Sequence, residues 1–397
     1  MPDSLPRLAV ATLLVLLGAC SGTSHVDRRA PPTHEDIPSI SAERAVALDQ
    51  ALADVVTRHQ VNTAAVAVIK DGAVVWQGHY GQQAPGVPAS EHTLYNVASL
   101  TKTVTAETVL RLAAAGHVSL DEPMSAHWID PDLQDDPRHR QLTPRMALSH
   151  TTGFMNWRFF ADDGKLAFIN DPGKAYGYSG EGFNYLARFV EGKLGEPFED
   201  VARRYVFEPS SVSDASMDAS MHVNPGLFPR IAQTLDAEGD FPGHYCRPEG
   251  WCRESGSFSA AGDLVITLAD YTRFLIQSMR GAGLTPELKA DRNTLHSTKP
   301  PIDCGPVPEA RCPIRTGYAL GWHVTELEDG KTIGHLGSDW SMVTMAYYYE
   351  GSRDGLVVLF NAPNRAGITA MVDALRLLDP DSPELHGYIA RRARAGG

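Results

Sequence analysis

The sequence has no Cys-x-x-Cys and no His-Glu-x-x-His, so the two most specific zinc-ligand spacings are absent. Its 15 histidines, taken singly, are more often structural or surface residues than metal ligands. Basic residues are in deficit: 35 Lys and Arg stand against 48 Asp and Glu, a formal charge of −13. The cations are scattered and form no stripe to meet a phosphate backbone, which argues against a nucleic-acid partner. An apolar run long enough to span a bilayer is also missing, because the stretch from Leu8 to Leu17 is short and lightly flanked. No internal repeat or low-complexity tract follows the first forty or so residues.

What is present begins with an export signal. Arg7, the apolar run and small residues ahead of Cys20 read as a leader over residues 1–19. The ending "LGAC" resembles a bacterial lipoprotein box, which makes Cys20 the lipidated first residue of a mature chain anchored to a membrane and facing the periplasm. Ser21 beside it favours the outer membrane; an unlipidated periplasmic or secreted protein is the alternative. Residues 20–40, polar and proline-bearing, read as a tether. The remaining cysteines, Cys246, Cys252, Cys304 and Cys312, fall in two close pairs. Export makes disulfides plausible, and of the three possible connectivities 246–252 and 304–312 are favoured, each closing a short loop.

At 397 residues, 43% hydrophobic and 21% charged, the chain is globular and long enough for one large domain or two smaller ones. Leu48, Leu52 and Val55 mark an amphipathic helix after Ser41, and two apolar runs split by Asp71-Gly72 mark a hairpin. Helices are expected from about Ser99 to Ala115, after Thr143-Pro144, from Gly182 to Leu194, and from Thr267 to Gly281, where Thr267 and Asp270 resemble a capping box. Beyond Gly317 the pattern turns to strands: "YALGWHVTEL", "KTIGHLG", "WSMVTMAYYYE" and "LVVLFN", then a helix from Ala366 to Leu378. Helix and hairpin at one end, hairpins and helix at the other, predict an antiparallel sheet built from both chain ends, with a helical lobe inserted. The domain spans 41–380 and residues 381–397 are a tail. A cleft between the lobes is where a small-molecule site belongs.

The chemistry concentrates at "YNVASLTKTVTAETVLRLAAAG", residues 95–116. A serine hydroxyl needs a base close to it to act as a nucleophile at neutral pH. If Ser99 opens the helix, Lys102 projects from the same face one turn along, and burial and the helix N-terminus both lower its pKa. The Ser99 N–H supplies half of an oxyanion hole. Ser-x-x-Lys alone is weak, since about one is expected by chance in a chain of this length.

Its context is more specific. "YGYSGEGFNYLARFVE" resembles the Tyr-Ser-Asn element of the serine β-lactamase and penicillin-binding family, and "IGHLGSDW" resembles that family's third element in the His-x-Gly form of its esterases, D-aminopeptidases and related hydrolases. "LSHTTGF" and "SFSAAGDLVITLADYTRFL" resemble two further family segments, all in the family's order. The resemblance covers about Ser41 to Leu378 and implies an α+β, two-lobed β-lactamase/transpeptidase-like fold. It implies Ser99 as nucleophile, Lys102 as its base, Tyr178 as the second base relaying a proton to the leaving group, and His335 holding substrate or Tyr178. Gly337 lets the substrate approach, the Ser338 N–H completes the oxyanion hole, and Asp339 and Trp340 line the cleft or a solvated loop. His150 reads as a buried hydrogen-bonding residue.

The implied activity is cleavage of a carboxylic ester or an amide, of D-amino acid or short-peptide type, without metal or organic cofactor. Alternatives are a D-alanyl carboxypeptidase or β-lactamase, against which His335 in place of lysine argues, and a non-hydrolytic penicillin-binding sensor or scaffold. Gly180 departs from the family's Asn, and "FEPSSVSDASM" replaces its Pro-Leu-Gly-Met run. Oligomeric state is not legible. Gly177 to Glu181 misses the nucleophile-elbow pattern at its last position, so an α/β-hydrolase reading fails.

Overall fold

The computed structural model describes residues 40–218, 225–254, 257–305 and 311–396. The leader, Cys20 and the tether up to residue 39 lie outside the described residues. Ser41 accepts from the Arg44 N–H at 3.2 Å and so caps α1 (Ala42–Arg58), whose Leu48, Leu52 and Val55 are buried. Strands β1 (Thr63–Lys70) and β2 (Ala73–Ala84) follow, joined by Asp71 at φ 46° and Gly72 at φ 74°, the doubly positive pair of a type I′ turn. Next come β3 (Val87–Pro88), β4 (Leu94–Asn96) and α2 (Thr101–Ala114).

The middle of the chain is mainly helical: α3 (Pro144–Leu148), α4 (Gly180–Leu194), α5 (Phe198–Ala202), then β5 (Ala215–Ser216), β6 (Val265–Thr267), α6 (Leu268–Arg280) and α7 (Pro286–Arg292). Thr143 caps α3 with Pro144 at its first position, as its sequence predicts. At α6 only half of the capping box forms. Thr267 accepts from the Asp270 N–H, but the Asp270 carboxylate turns away to the Ser213 and Asp214 N–H groups. The chain closes with β7 (Ser297–Thr298), β8 (Arg315–Tyr318), β9 (His323–Leu327), β10 (Gly330–Asp339), β11 (Met342–Tyr349), β12 (Gly355–Asn361), α8 (Asn364–Leu378) and α9 (Glu384–Gly396).

A 9-stranded antiparallel sheet runs β3-β2-β1-β12-β11-β10-β9-β8-β7, so the two ends of the chain meet at β1 and β12 near its centre. All seven residues of β12 are buried because both faces of the sheet are covered. Leu356, Val358 and Phe360 face α1, α8 and α9, whereas Val357 and Leu359 face the helices of the inserted lobe. This is the α+β architecture expected, and a 3-stranded sheet, β4-β6-β5, links the lobe to the turn that carries Ser99.

Two expectations change in detail. "YALGWHVTEL" is two strands, broken where Ala319 donates to the Trp322 carbonyl at 2.9 Å and the turn seats Gly321 against Ala106 of α2. Within residues 381–397, expected as a tail, Glu384–Gly396 form α9, with Leu385 and Tyr388 buried against the α1/α8 layer. The cysteines pair as Cys246–Cys252 and Cys304–Cys312.

Candidate active site

The turn that presents Ser99 is held from three sides. The Asn96 side chain accepts from the Ala98 N–H at 2.8 Å, the Val97 N–H donates to Leu264, and the Val97 carbonyl accepts from Thr344 of β11 at 2.8 Å. Ala98 is thereby fixed at φ 48°, a left-handed conformation that costs a residue with a Cβ roughly 1 kcal/mol or more and persists only where the surroundings impose it. Ser99 follows in a 3₁₀ turn over Ala98–Leu100, and α2 starts at Thr101, slightly later than the sequence suggests.

Lys102, in the first turn of α2, is wholly buried. Its Nζ donates to Ser99 Oγ at 3.1 Å and to the Ala261 carbonyl at 2.8 Å, and among the described residues no carboxylate pairs with it. The segment around Ala261 is strapped to α2 on either side of the lysine. Thr105 donates to the Ala260 carbonyl and Thr101 accepts from the Leu264 N–H. Aromatic rings complete the enclosure, with Tyr178 5.0 Å, Trp157 5.7 Å and Phe183 5.8 Å from Nζ. Burial without a countercharge pushes the Lys102 pKa down to about 7.

Tyr178 sits immediately before Ser179, which caps α4 by accepting from the Gly182 N–H. Burial raises the Tyr178 pKa well above the ordinary phenol value, although a hydrogen bond with Ser99 works the other way, so the hydroxyl keeps its proton at neutral pH. His150 backs it: the rings lie 4.4 Å apart, and His150 Nδ1 accepts from the Ser179 N–H at 3.1 Å. His150 is the buried hydrogen-bonding residue that its sequence context suggests.

His335 lies on β10 with its ring 6.3 Å from that of Tyr178. Its Nδ1 is 2.7 Å from the Leu336 carbonyl, which can only accept, so Nδ1 carries the hydrogen and the buried Nε2 is left with a lone pair. Burial first, then the nearby Lys102, lowers the His335 pKa to about 3, which keeps the ring neutral. Two residues on, Gly337 runs against the turn that carries Ser99. A Cβ there would stand 2.6 Å from the Val97 carbonyl and 2.0 Å from Thr344 Oγ1, so any side chain would displace Ser99. β9 pairs with β10 only up to Gly334, and beyond it β10 borders the site.

Ser99, Lys102 and Tyr178 therefore converge, with His335 and Gly337 beside them. The Ser338 hydroxyl does not join them: it accepts from Asn364 of α8 on the opposite face, so only its backbone is available to the site. Asp339 accepts from Arg247 at 3.0 Å, tying β10 to the loop closed by Cys246–Cys252. Trp340 lines a small cavity with Asn96, His244 and Tyr245. Asn96, Ala261, Trp157 and Arg247 escape sequence reasoning. Asn96 at the end of a short strand, two residues before the strained position, was the one detectable signal, because Asx turns place an acceptor there.

The fold is that of a family of serine hydrolases. The chain belongs to the beta-lactamase family, whose model matches residues 48–378. Esterase EstB of Burkholderia gladioli is 32% identical over 127 residues, 31% of this chain and 31% of the esterase, so that likeness spans under a third of the relative. Penicillin-binding protein 4 of Amycolatopsis lactamdurans is 28% identical over 314 residues, 75% of this chain and 80% of that one. Among solved structures, D-amino acid amidase from Ochrobactrum anthropi SV3 complexed with D-phenylalanine superposes with a TM-score of 0.64 at 20% identity, covering 89% of this chain and 99% of the amidase, a likeness of fold.

Proposed function

We propose that the protein is a serine hydrolase that cleaves carboxylic esters or amides, of D-amino acid or short-peptide type, through an acyl-Ser99 intermediate. The observation that carries this is Lys102: a fully buried amine 3.1 Å from a serine hydroxyl, with no carboxylate among the described residues to hold it charged. Ser99 Oγ attacks the substrate carbonyl carbon while Lys102 Nζ takes its proton. The negative oxygen of the tetrahedral intermediate accepts from the Ser99 and Ser338 N–H groups. Tyr178, protonated at neutral pH, hands its hydrogen to the departing alkoxide or amine and regains one from Lys102, so that the Ser99 proton ends on the leaving group. Water then attacks the acyl-serine, the acid departs, and Ser99 is restored. His335 keeps a neutral lone pair beside Tyr178 and places no cation on β10 to bind a substrate carboxylate. We propose in addition that Cys20 is lipidated and the enzyme is tethered facing the periplasm.

Intact-mass analysis with a fluorophosphonate and turnover of p-nitrophenyl butyrate test the reading. The protein should gain one adduct and hydrolyse the ester, and Ser99→Ala should do neither while remaining folded. Equal turnover in the variant would refute the assignment.

A further inference from the structure

Beside Lys102 lies a wall that the Ser99 chemistry does not use. Gly180 opens α4, and a Cβ built on it would lie 2.3 Å from the Trp157 indole, so the ring occupies the space that a side chain at 180 would fill. The indole stands 5.7 Å from Lys102 Nζ and stacks on Phe159 at 5.8 Å, with only 13° between the planes. Phe159 is 58% exposed, and beyond it Arg247 lies 5.9 Å from the ring with its guanidinium directed at Asp339. Trp157 and Phe159 thus form a flat apolar shelf leading outward from the general base, ending at a cation already engaged by a carboxylate of the chain. With no side chain at 180, the shelf has no polar group there to meet an amide of the substrate.

We propose that the Trp157–Phe159 shelf is the acyl-side subsite, selecting substrates whose acyl group carries an apolar aromatic or alkyl side chain over ones that carry a carboxylate there. The proposal rests on the acyl-Ser99 reading. The leaving group must reach Tyr178 for its proton, which leaves the shelf to the acyl side. Exposed aromatic side chains suit an apolar group, because contact removes apolar area from water on both partners without stranding a donor or acceptor.

The test compares kcat/KM for p-nitrophenyl phenylacetate and p-nitrophenyl acetate, which share a leaving group and differ in the acyl part. Wild-type protein should prefer phenylacetate by about tenfold or more. Trp157→Ala removes the shelf and Gly180→Ala pushes the indole off it, so each should bring the ratio close to one, whereas Trp157→Phe should retain most of the preference. An unchanged ratio in Trp157→Ala, or a wild-type preference for acetate, would overturn the proposal. Fluorophosphonate labelling of each protein separates the two ideas: full labelling with no acyl preference fails the shelf alone, and a folded wild-type protein that does not label fails the Ser99 reading and the shelf with it.

Discussion

Near the N-terminus of α2, Lys102 is buried with a serine hydroxyl and a peptide carbonyl as its partners. Toward the other end of the same helix, Arg111 is buried beside Glu107, and Glu107 also accepts from Arg292 at 2.7 Å and from the Trp322 indole at 3.1 Å. Arg292 goes on to satisfy its other hydrogens on the Ser278 carbonyl, Asn293 and Tyr348. Both clusters are shut off from water, and a lone buried ion costs several kcal/mol in either place. At Glu107 the cost is offset by opposite charge and by the hydrogen bonds from Arg292 and Trp322, and through Arg292 the cluster cross-links α2, α7 and β11. At Lys102 no countercharge is supplied, so the amine sheds its proton near neutrality. The contrast teaches that one helix carries a paired charge cluster and a buried amine, and that a carboxylate, present beside the first and among the described residues absent beside the second, separates them.

The largest expected effect breaks the reactive cluster. Lys102→Met keeps the volume and removes the base, and should lower kcat/KM for p-nitrophenyl butyrate by about ten-thousand-fold or more. In the structural cluster, Glu107→Gln strands Arg292 and Arg111 without their carboxylate. That should cost about 3–5 kcal/mol of stability in urea unfolding, while the fraction that remains folded still labels at Ser99. The smallest effect sharpens the comparison, because Lys102→Met should raise stability at pH 7 as it abolishes activity. Between about pH 7 and the ordinary lysine range, the unfolded chain holds a proton on residue 102 that the folded protein lacks. Wild-type stability should therefore rise with pH across that window, by up to about 5 kcal/mol, and the Met variant should lose that rise.

Much of this was legible before any coordinates. The Asp71-Gly72 hairpin, the caps at Thr143 and Thr267, the α4 face and the Ser99–Lys102 spacing are local, and local chemistry dictates them. The split of "YALGWHVTEL" was hidden because the segment is buried on both sides of the break, so no alternation marks it. The C-terminal helix was hidden because its apolar residues are few and bunched, Leu385, Tyr388 and Ile389, and an arginine-rich end follows them. The site's least legible members act through the backbone or through absence. A peptide carbonyl at Ala261 has no sequence signature, and the fit of Trp157 into the space at Gly180 joins residues that only the fold brings together.

The most direct test of the unpaired-lysine account is the rate of Ser99 phosphonylation by a fluorophosphonate between pH 5 and 10. An amine with a pKa of about 7 predicts a rate that climbs about tenfold per pH unit below neutrality and levels off above it. A rate that keeps rising to pH 10 would mean that Lys102 stays charged in the folded protein, and would contradict the account.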